Sequence, residues 1–95
     1  MEEIYIPKED SYFLISTLER EMPKLLKINK NIKVLEIGSG SGIQLETLRN
    51  LNIKNENIFS CDINKKAVKH CKNLGFNCIQ SNLFSKIKGK YDLII

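Results

Sequence analysis

The stretch Val34-Leu35-Glu36-Ile37-Gly38-Ser39-Gly40-Ser41-Gly42 runs from an apolar segment holding one acid into three alternating glycines. Lys33 to Ile37 is short, apolar and closed by glycine, which predicts a buried parallel strand. Beyond the glycines, Leu45, Leu48 and Leu51 recur at spacing three and share one face of a predicted helix, whose start lies among small residues. Gly38, Gly40 and Gly42 therefore occupy a strand-to-helix turn. There the chain must reverse sharply, and a ligand can approach the backbone because no Cβ intervenes.

Upstream, Pro7 and Asp10 supply helix-start chemistry, and Leu14, Leu18 and Met22, with Ile15 beside them, predict an amphipathic helix ending at Pro23. Downstream, Ile58 to Asp62 reads as a second strand and Lys65 to Asn73 as a helix closed by Gly75. Asn77 to Gln80 reads as a third strand and Tyr91 to Ile95 as a fourth. Strands alternating with helices predict an α/β fold with a parallel sheet and right-handed crossovers. No repeat or low-complexity linker divides the chain, so residues 1–95 read as one partial domain. Residues 1–32 form a helical lead and residues 33–95 a βαβαββ ligand-binding half.

Which ligand suits the turn is decided by its details. The third glycine falls at Gly42 and position 43 is Ile43, which departs from the dinucleotide fingerprint G-x-G-x-x-G; the Gly-Lys-Ser/Thr ending of a P-loop is also missing. Glu36 stands two residues before the first glycine. Its carboxylate would repel a pyrophosphate but favours the cationic amino and sulfonium groups of S-adenosylmethionine. Asp62 ends the second strand 22 residues after Gly40, where Rossmann-type sites hold ribose hydroxyls. Ile63 follows, suited to cover one face of an adenine. Ser81-Asn82-Leu83-Phe84 offers an amide for the adenine amino group and apolar flanks for the base.

Composition agrees with one small globular unit. The 95 residues are 42% hydrophobic and 27% charged, and a chain of this length buries only somewhat over about 60% of its unfolded surface. No stretch approaches the roughly 20 apolar residues that span a bilayer, and Met1-Glu2-Glu3 is not the opening of a signal peptide, so the expectation is a cytoplasmic protein without a membrane. Cys61, Cys71 and Cys78 form no Cys-x-x-Cys pair and are expected to be buried as small hydrophobes; no metal site is expected. Fifteen Lys and Arg against 11 Asp and Glu leave a charge of +4. Lys65, Lys66, Lys69 and Lys72 are expected to be a solvated helix face, and His70 among them to be exposed without a catalytic role.

These ordered motifs, with Tyr91-Asp92-Leu93-Ile94-Ile95, resemble class I (Rossmann-like) S-adenosylmethionine-dependent methyltransferases over nearly the whole chain. The opening Tyr5-Ile6-Pro7-Lys8-Glu9-Asp10-Ser11-Tyr12-Phe13-Leu14 is similar to the Tyr-x-Pro-x-Glu-Asp-Thr-x-x-Leu opening of HemK-like enzymes, in the archaeal and eukaryotic branch that methylates a glutamine of a class I release factor. The resemblance implies that Ser11, Glu36, Gly38 and Gly40 line the pocket for the cofactor's methionine end. By the same resemblance Asp62 and Ile63 meet the ribose and base, and Asn82 with the Leu83 backbone reads the adenine. Ser11 replaces the family's Thr and keeps its hydroxyl; Asn82 replaces an Asp, losing a charge and keeping an acceptor.

The family's fourth strand leads into Asn-Pro-Pro-Tyr, which grips the nitrogen to be methylated, and the given sequence stops at Ile95 before it. No catalytic residue is therefore expected here, and the chain alone should bind cofactor yet transfer poorly. Expected partners are a complementary C-terminal half or second chain carrying that motif, a small zinc-binding methyltransferase activator, and the release factor as substrate. The family topology implies strand order 3-2-1-4 with helices mainly on one face, leaving the other bare and the edge of the fourth strand open to pairing. Two other functions remain open at this point: a methyltransferase component for a nucleic-acid amino group or a protein lysine, and a non-catalytic cofactor-binding module or truncated fragment.

Overall fold

The computed structural model describes residues 9–81 and 89–95. Its elements in chain order are α1 (Glu9–Ile28), β1 (Val34–Ile37), α2 (Ile43–Asn50), a single 3-10 turn (Asn55–Asn57), β2 (Ile58–Asp62), α3 (Lys65–Asn73), β3 (Asn77–Gln80) and β4 (Leu93–Ile94). The four strands form one parallel sheet in the order β3-β2-β1-β4, as expected. Val34 pairs with both Ile58 and Leu93, and Ser60 pairs with Cys78.

Side chains alternate between sheet faces along each strand, so this register puts Val34, Ile58, Ser60 and Cys78 on one face. Leu18 and Met22 of α1, Leu45 and Leu48 of α2, and Val68 and Cys71 of α3 close over it in one cluster with Val34, Ile58 and Cys78. On the opposite face, Ile79 is 43% exposed and Ile94 52%. There Lys33 lies with its Nζ 5.0 Å from the Phe59 ring centre and 5.2 Å from that of Tyr91, a cation–π arrangement on two rings that meet edge to face. All three described helices thus pack on one side, as the sequence implied.

Three local results show how tertiary contacts override the sequence signals. First, α1 does not stop at Pro23 but runs through it to Ile28. The proline removes the hydrogen bond to the Glu19 carbonyl. Both residues are exposed, so water can serve that carbonyl, while Leu25 and Leu26 continue the stripe of Leu14, Leu18 and Met22 into the core. Second, Leu51 lies just past the end of α2 and caps it. Asn52 takes a φ of 71°, its N–H bonding to the Arg49 carbonyl and that of Ile53 to the Leu48 carbonyl. Gly75 ends α3 in the same reciprocal pattern, Gly75 to Lys72 and Phe76 to Cys71, which consumes carbonyls a helix end leaves unpaired. Third, β4 starts later than Tyr91: the Asp92 carboxylate takes the Lys33 N–H at 2.8 Å ahead of the ladder, while Ile95 still donates to the Leu35 carbonyl and accepts from the Ile37 N–H, both at 2.9 Å.

The cysteines are free and buried, and Lys65, Lys66, Lys69 and Lys72 are exposed, both as expected. No helix among the described residues is long and apolar enough to cross a membrane.

Candidate functional site

The carboxyl ends of β1 and β2 open into a cavity of about 330 Å³. Parallel α/β sheets place ligands in this position, where successive strand-to-helix turns diverge. Ser11, Glu36, Gly38, Gly40 and Asp62, five of the residues singled out from sequence, line it together with Asp10, Leu14, Gln44 and Ile95.

The glycine turn forms its floor. Gly38 and Gly42 take φ values of +83° and +85°, where a side chain is strained. Their surroundings differ. A Cβ on Gly38 would meet nothing within 4 Å, so this glycine leaves open space beside the cavity. One on Gly42 would stand 3.1 Å from Leu74 Cδ1 and 3.3 Å from Cys71 Sγ, so this glycine lets α2 and α3 approach each other. The Gly38 N–H donates to the Cys61 carbonyl at 2.8 Å, tying the start of the turn to the end of β2.

Asp62 holds the middle of the turn. One carboxylate oxygen accepts from the Gly40 N–H at 3.0 Å and the other from the Asn64 N–H at 2.9 Å. Each oxygen keeps a further lone pair for a ligand hydroxyl. Asn64 in turn caps α3, its side chain accepting from the Lys66 and Ala67 N–H groups. His70 corrects an expectation. It is not an exposed member of the lysine face; its Nε2 lies 2.8 Å from the Ser41 carbonyl and the side chain is half-buried. One turn along α3 from Lys66, it points back to the glycine turn, a contact helical periodicity alone does not reveal.

The charge balance centres on Glu36. Its side chain is buried, and Oε1 has no hydrogen-bond partner among the described residues. Burial foremost, with the neighbouring Cys78 and Asp62 charges adding to it, pushes its carboxyl up to about 8, so without a nearby cation it is protonated at neutral pH. Gln44 was missed from sequence and belongs here. Its Nε2 donates to the Ser11 carbonyl at 3.1 Å, fixing α1 against the first turn of α2, and its Oε1 is also buried and unpartnered. Among the described residues two oxygens in one cavity thus lack partners, the Gln44 amide oxygen, an acceptor, and that of the Glu36 carboxyl, which accepts once ionised, and each costs about 1–3 kcal/mol until a partner reaches it.

Not every expected residue joins them. Ile63 is 65% exposed and does not line the cavity. Asn82 and Leu83, with Phe84, and the Tyr5 to Lys8 part of the opening motif lie outside the described residues. The described segment ends beside the site at Ser81, whose N–H donates to the Asp62 carbonyl at 3.0 Å.

Residues 10–85 match the sequence profile of the protein-L-isoaspartate(D-aspartate) O-methyltransferase (PCMT) family. The chain belongs to the class I methyltransferase family. Its HemK-like character is carried by two relatives. A putative protein N5-glutamine methyltransferase of Methanocaldococcus jannaschii is 34% identical over 99 residues, covering 98% of this chain. The eRF1 methyltransferase catalytic subunit of Schizosaccharomyces pombe is 34% identical over 80% of it. The ribosomal RNA small subunit methyltransferase C of Serratia proteamaculans is also 34% identical, over 90% of this chain. The chain spans 45%, 35% and 24% of these relatives' lengths, respectively.

Proposed function

We propose that this chain is the S-adenosylmethionine-binding part of a protein N5-glutamine methyltransferase acting on a translation release factor. The observation that carries the cofactor assignment is the pair of buried, unpartnered oxygens, Glu36 Oε1 and Gln44 Oε1, in the cavity beside the open Gly38. Gln44 Oε1 is an acceptor, and the Glu36 carboxyl becomes one, with a charge, once a cation arrives. An α-ammonium group supplies donors and charge together; a pyrophosphate supplies neither. The relatives point the same way. Their names specify an isoaspartyl oxygen, a glutamine nitrogen and ribosomal RNA as acceptors, yet all match the same segment. A segment shared across such different acceptors serves the methyl donor.

When bound, the cofactor supplies a methyl group on a positively charged sulfur. The residues here bind and orient it: Glu36 and Gln44 take the ammonium end, Ser11 lies beside them, and Asp62 offers its remaining lone pairs to the ribose. Asn82, Leu83 and Ile63 complete the adenine end. Positioning of the acceptor falls to a complementary C-terminal half or second chain carrying Asn-Pro-Pro-Tyr. A small zinc-binding methyltransferase activator is a further partner in this reading, and the assembled enzyme works in the cytoplasm. The release factor reading rests on the two N5-glutamine and eRF1 relatives. A nucleic-acid amino group is the second reading, favoured by the ribosomal RNA relative and the exposed lysines of α3.

Calorimetric titration with S-adenosylmethionine and, separately, with NAD tests the cofactor. S-Adenosylmethionine alone is expected to bind, and Asp62→Ala to weaken it; preference for NAD, or indifference to that substitution, refutes the assignment. Methylation of recombinant release factor by the chain joined to an Asn-Pro-Pro-Tyr half tests the substrate, with ribosomal RNA as the competing acceptor.

A further inference from the structure

The far edge of the sheet carries a groove of about 340 Å³ between α3 and β3. Its described lining is Lys65, Val68, Lys69, Lys72, Asn73 and Gln80, with no Asp or Glu and none of the residues that line the donor cavity. Lys65, Lys69 and Lys72 stand at i, i+4 and i+7 of α3, so they form one row about 10 Å long on a single helix face. All three are exposed, and none makes an ion pair among the described residues, whose salt bridges lie within α1. With Lys66, the nine residues of α3 hold four lysines and no acid.

We propose that this groove binds the sugar–phosphate backbone of single-stranded RNA. Lysines and carboxamides are among the side chains that take phosphate oxygens, and every described lining residue except Val68 is one or the other. A protein partner fits poorly. Protein interfaces are depleted of Lys and depend on aromatic or aliphatic anchors, whereas the apolar residue here, Val68, is only 6% exposed. A single row of cations matches the phosphates of one strand, while a duplex presents two rows. Gln80 selects RNA over DNA: its Nε2 donates to the Ile63 carbonyl at 3.2 Å, which leaves Oε1 to accept from a 2′-hydroxyl, a donor that DNA lacks.

The row stands on a fixed support. Ala67, Val68 and Cys71 seat the inner face of α3 in the core, and the Asn64 cap and the Gly75 turn hold its two ends, so binding orders lysine side chains and not the helix. The groove also has a direction. Lys65 opens α3 just after the Asp62 turn and Gln80 is tied to Ile63 in that turn, so one end of the groove adjoins the donor site and the other runs out past Lys72. Holding RNA here is separate from methylating it and does not depend on the donor-site reading. Three phosphates neutralised on a single strand give a slope of about −2 in log affinity against log salt, which is a loss of about 20-fold between roughly 50 and 200 mM.

The test needs no methyl donor. Fluorescence anisotropy of a labelled short oligouridine with the 95-residue chain is expected to show saturable binding with that salt slope, and the matching oligodeoxyuridine to bind several-fold more weakly. Replacing Lys65, Lys69 and Lys72 together by Gln should weaken binding about tenfold or more at roughly 50 mM salt and flatten the slope. Lys69→Glu, a single change, should do the same to a lesser degree, and Gln80→Leu should bring RNA and DNA to equal affinity. Replacing Lys24, Lys27 and Lys30 by Gln removes the same charge at the far end of α1 and should leave the affinity unchanged, with circular dichroism showing that each variant is folded. Absence of binding, a slope near zero, equal losses in the two triple variants or equal affinity of the parent for DNA each overturn the inference. So does tighter binding of an oligoglutamate of matched charge, which assigns the groove to an acidic protein instead.

Discussion

Glu36→Gln tests the electrostatics of the cavity most directly, because glutamine keeps the shape of the side chain and removes its proton equilibrium. In the unfolded chain Glu36 ionises near 4.5 and in the folded chain near 8. Between these values the unfolded state gives up the proton and the folded state retains it, so the unfolded state binds fewer protons and stability falls as pH rises. The slope is about 1.4 kcal/mol per pH unit, which from pH 5 to pH 7 amounts to a loss of about 2–3 kcal/mol. The contribution is fully present below about pH 4.5, is lost progressively above it, and levels off once pH passes about 8. Urea unfolding of parent and variant at pH 5, 6, 7 and 8, followed by circular dichroism, reads the difference. At pH 5 the two are of similar stability, and by pH 7 the variant exceeds the parent by about 2–3 kcal/mol. Parallel pH profiles would show that Glu36 is ionised in the folded chain and refute the reasoning from its burial.

The same protonation couples to binding. A cationic ligand returns Glu36 to its charged form, so titration with S-adenosylmethionine at pH 7 should release close to one proton per ligand, read from the dependence of the calorimetric heat on buffer ionisation, and Glu36→Gln should abolish the release. Two glycines with similar φ should behave differently. Gly42→Ala is expected to cost about 2–3 kcal/mol from left-handed strain plus crowding against Leu74 and Cys71. Gly38→Ala carries only the strain, about 1–2 kcal/mol, yet intrudes beside the cavity and weakens ligand binding; thermal unfolding and titration separate the two effects. Met22→Ala, at a side chain fully buried just before Pro23, should cost about 2–5 kcal/mol by denaturant unfolding, whereas a fraying last turn of α1 would lose much less.

How legible the fold was depended on whether a segment's local signals agreed with its packing. β2, α3 and β3 have the bounds read from sequence, since Gly75 marks the end of α3 and both strands are short segments centred on apolar residues. α1 was misread because a proline was weighed without knowing that Leu25 and Leu26 have a core to enter. β4 was read as starting too early because the role of Asp92 is a contact to Lys33 across 59 residues of sequence. In the site, Glu36, Gly38 and Asp62 were visible from their places at strand ends. Gln44 was not, being one polar residue on a helix whose apolar stripe drew the reading. His70 was masked by its lysine neighbours. Both are recognised only by what they reach, the Ser11 and Ser41 carbonyls.

The glycine turn alone would suit any ligand that comes close to backbone, so discrimination between cofactors falls to the acid ahead of it. A buried carboxyl held neutral is a poor way to stabilise a strand end. An apolar residue at position 36 would fill the same space beside Ser60 without the desolvation cost or the orphaned oxygen. Its presence is accounted for only when something brings positive charge into the cavity. Gln44 sharpens this, because its amide nitrogen is spent on Ser11 and only an acceptor is turned to the ligand. A site lined by an amide acceptor and a carboxyl able to become an anion, both without partners among the described residues, selects against phosphate and for an ammonium group before any contact to ribose or base is made. If that order holds, S-adenosylmethionine and free methionine should both release the Glu36 proton, while adenosine, which engages only the Asp62 end, should not.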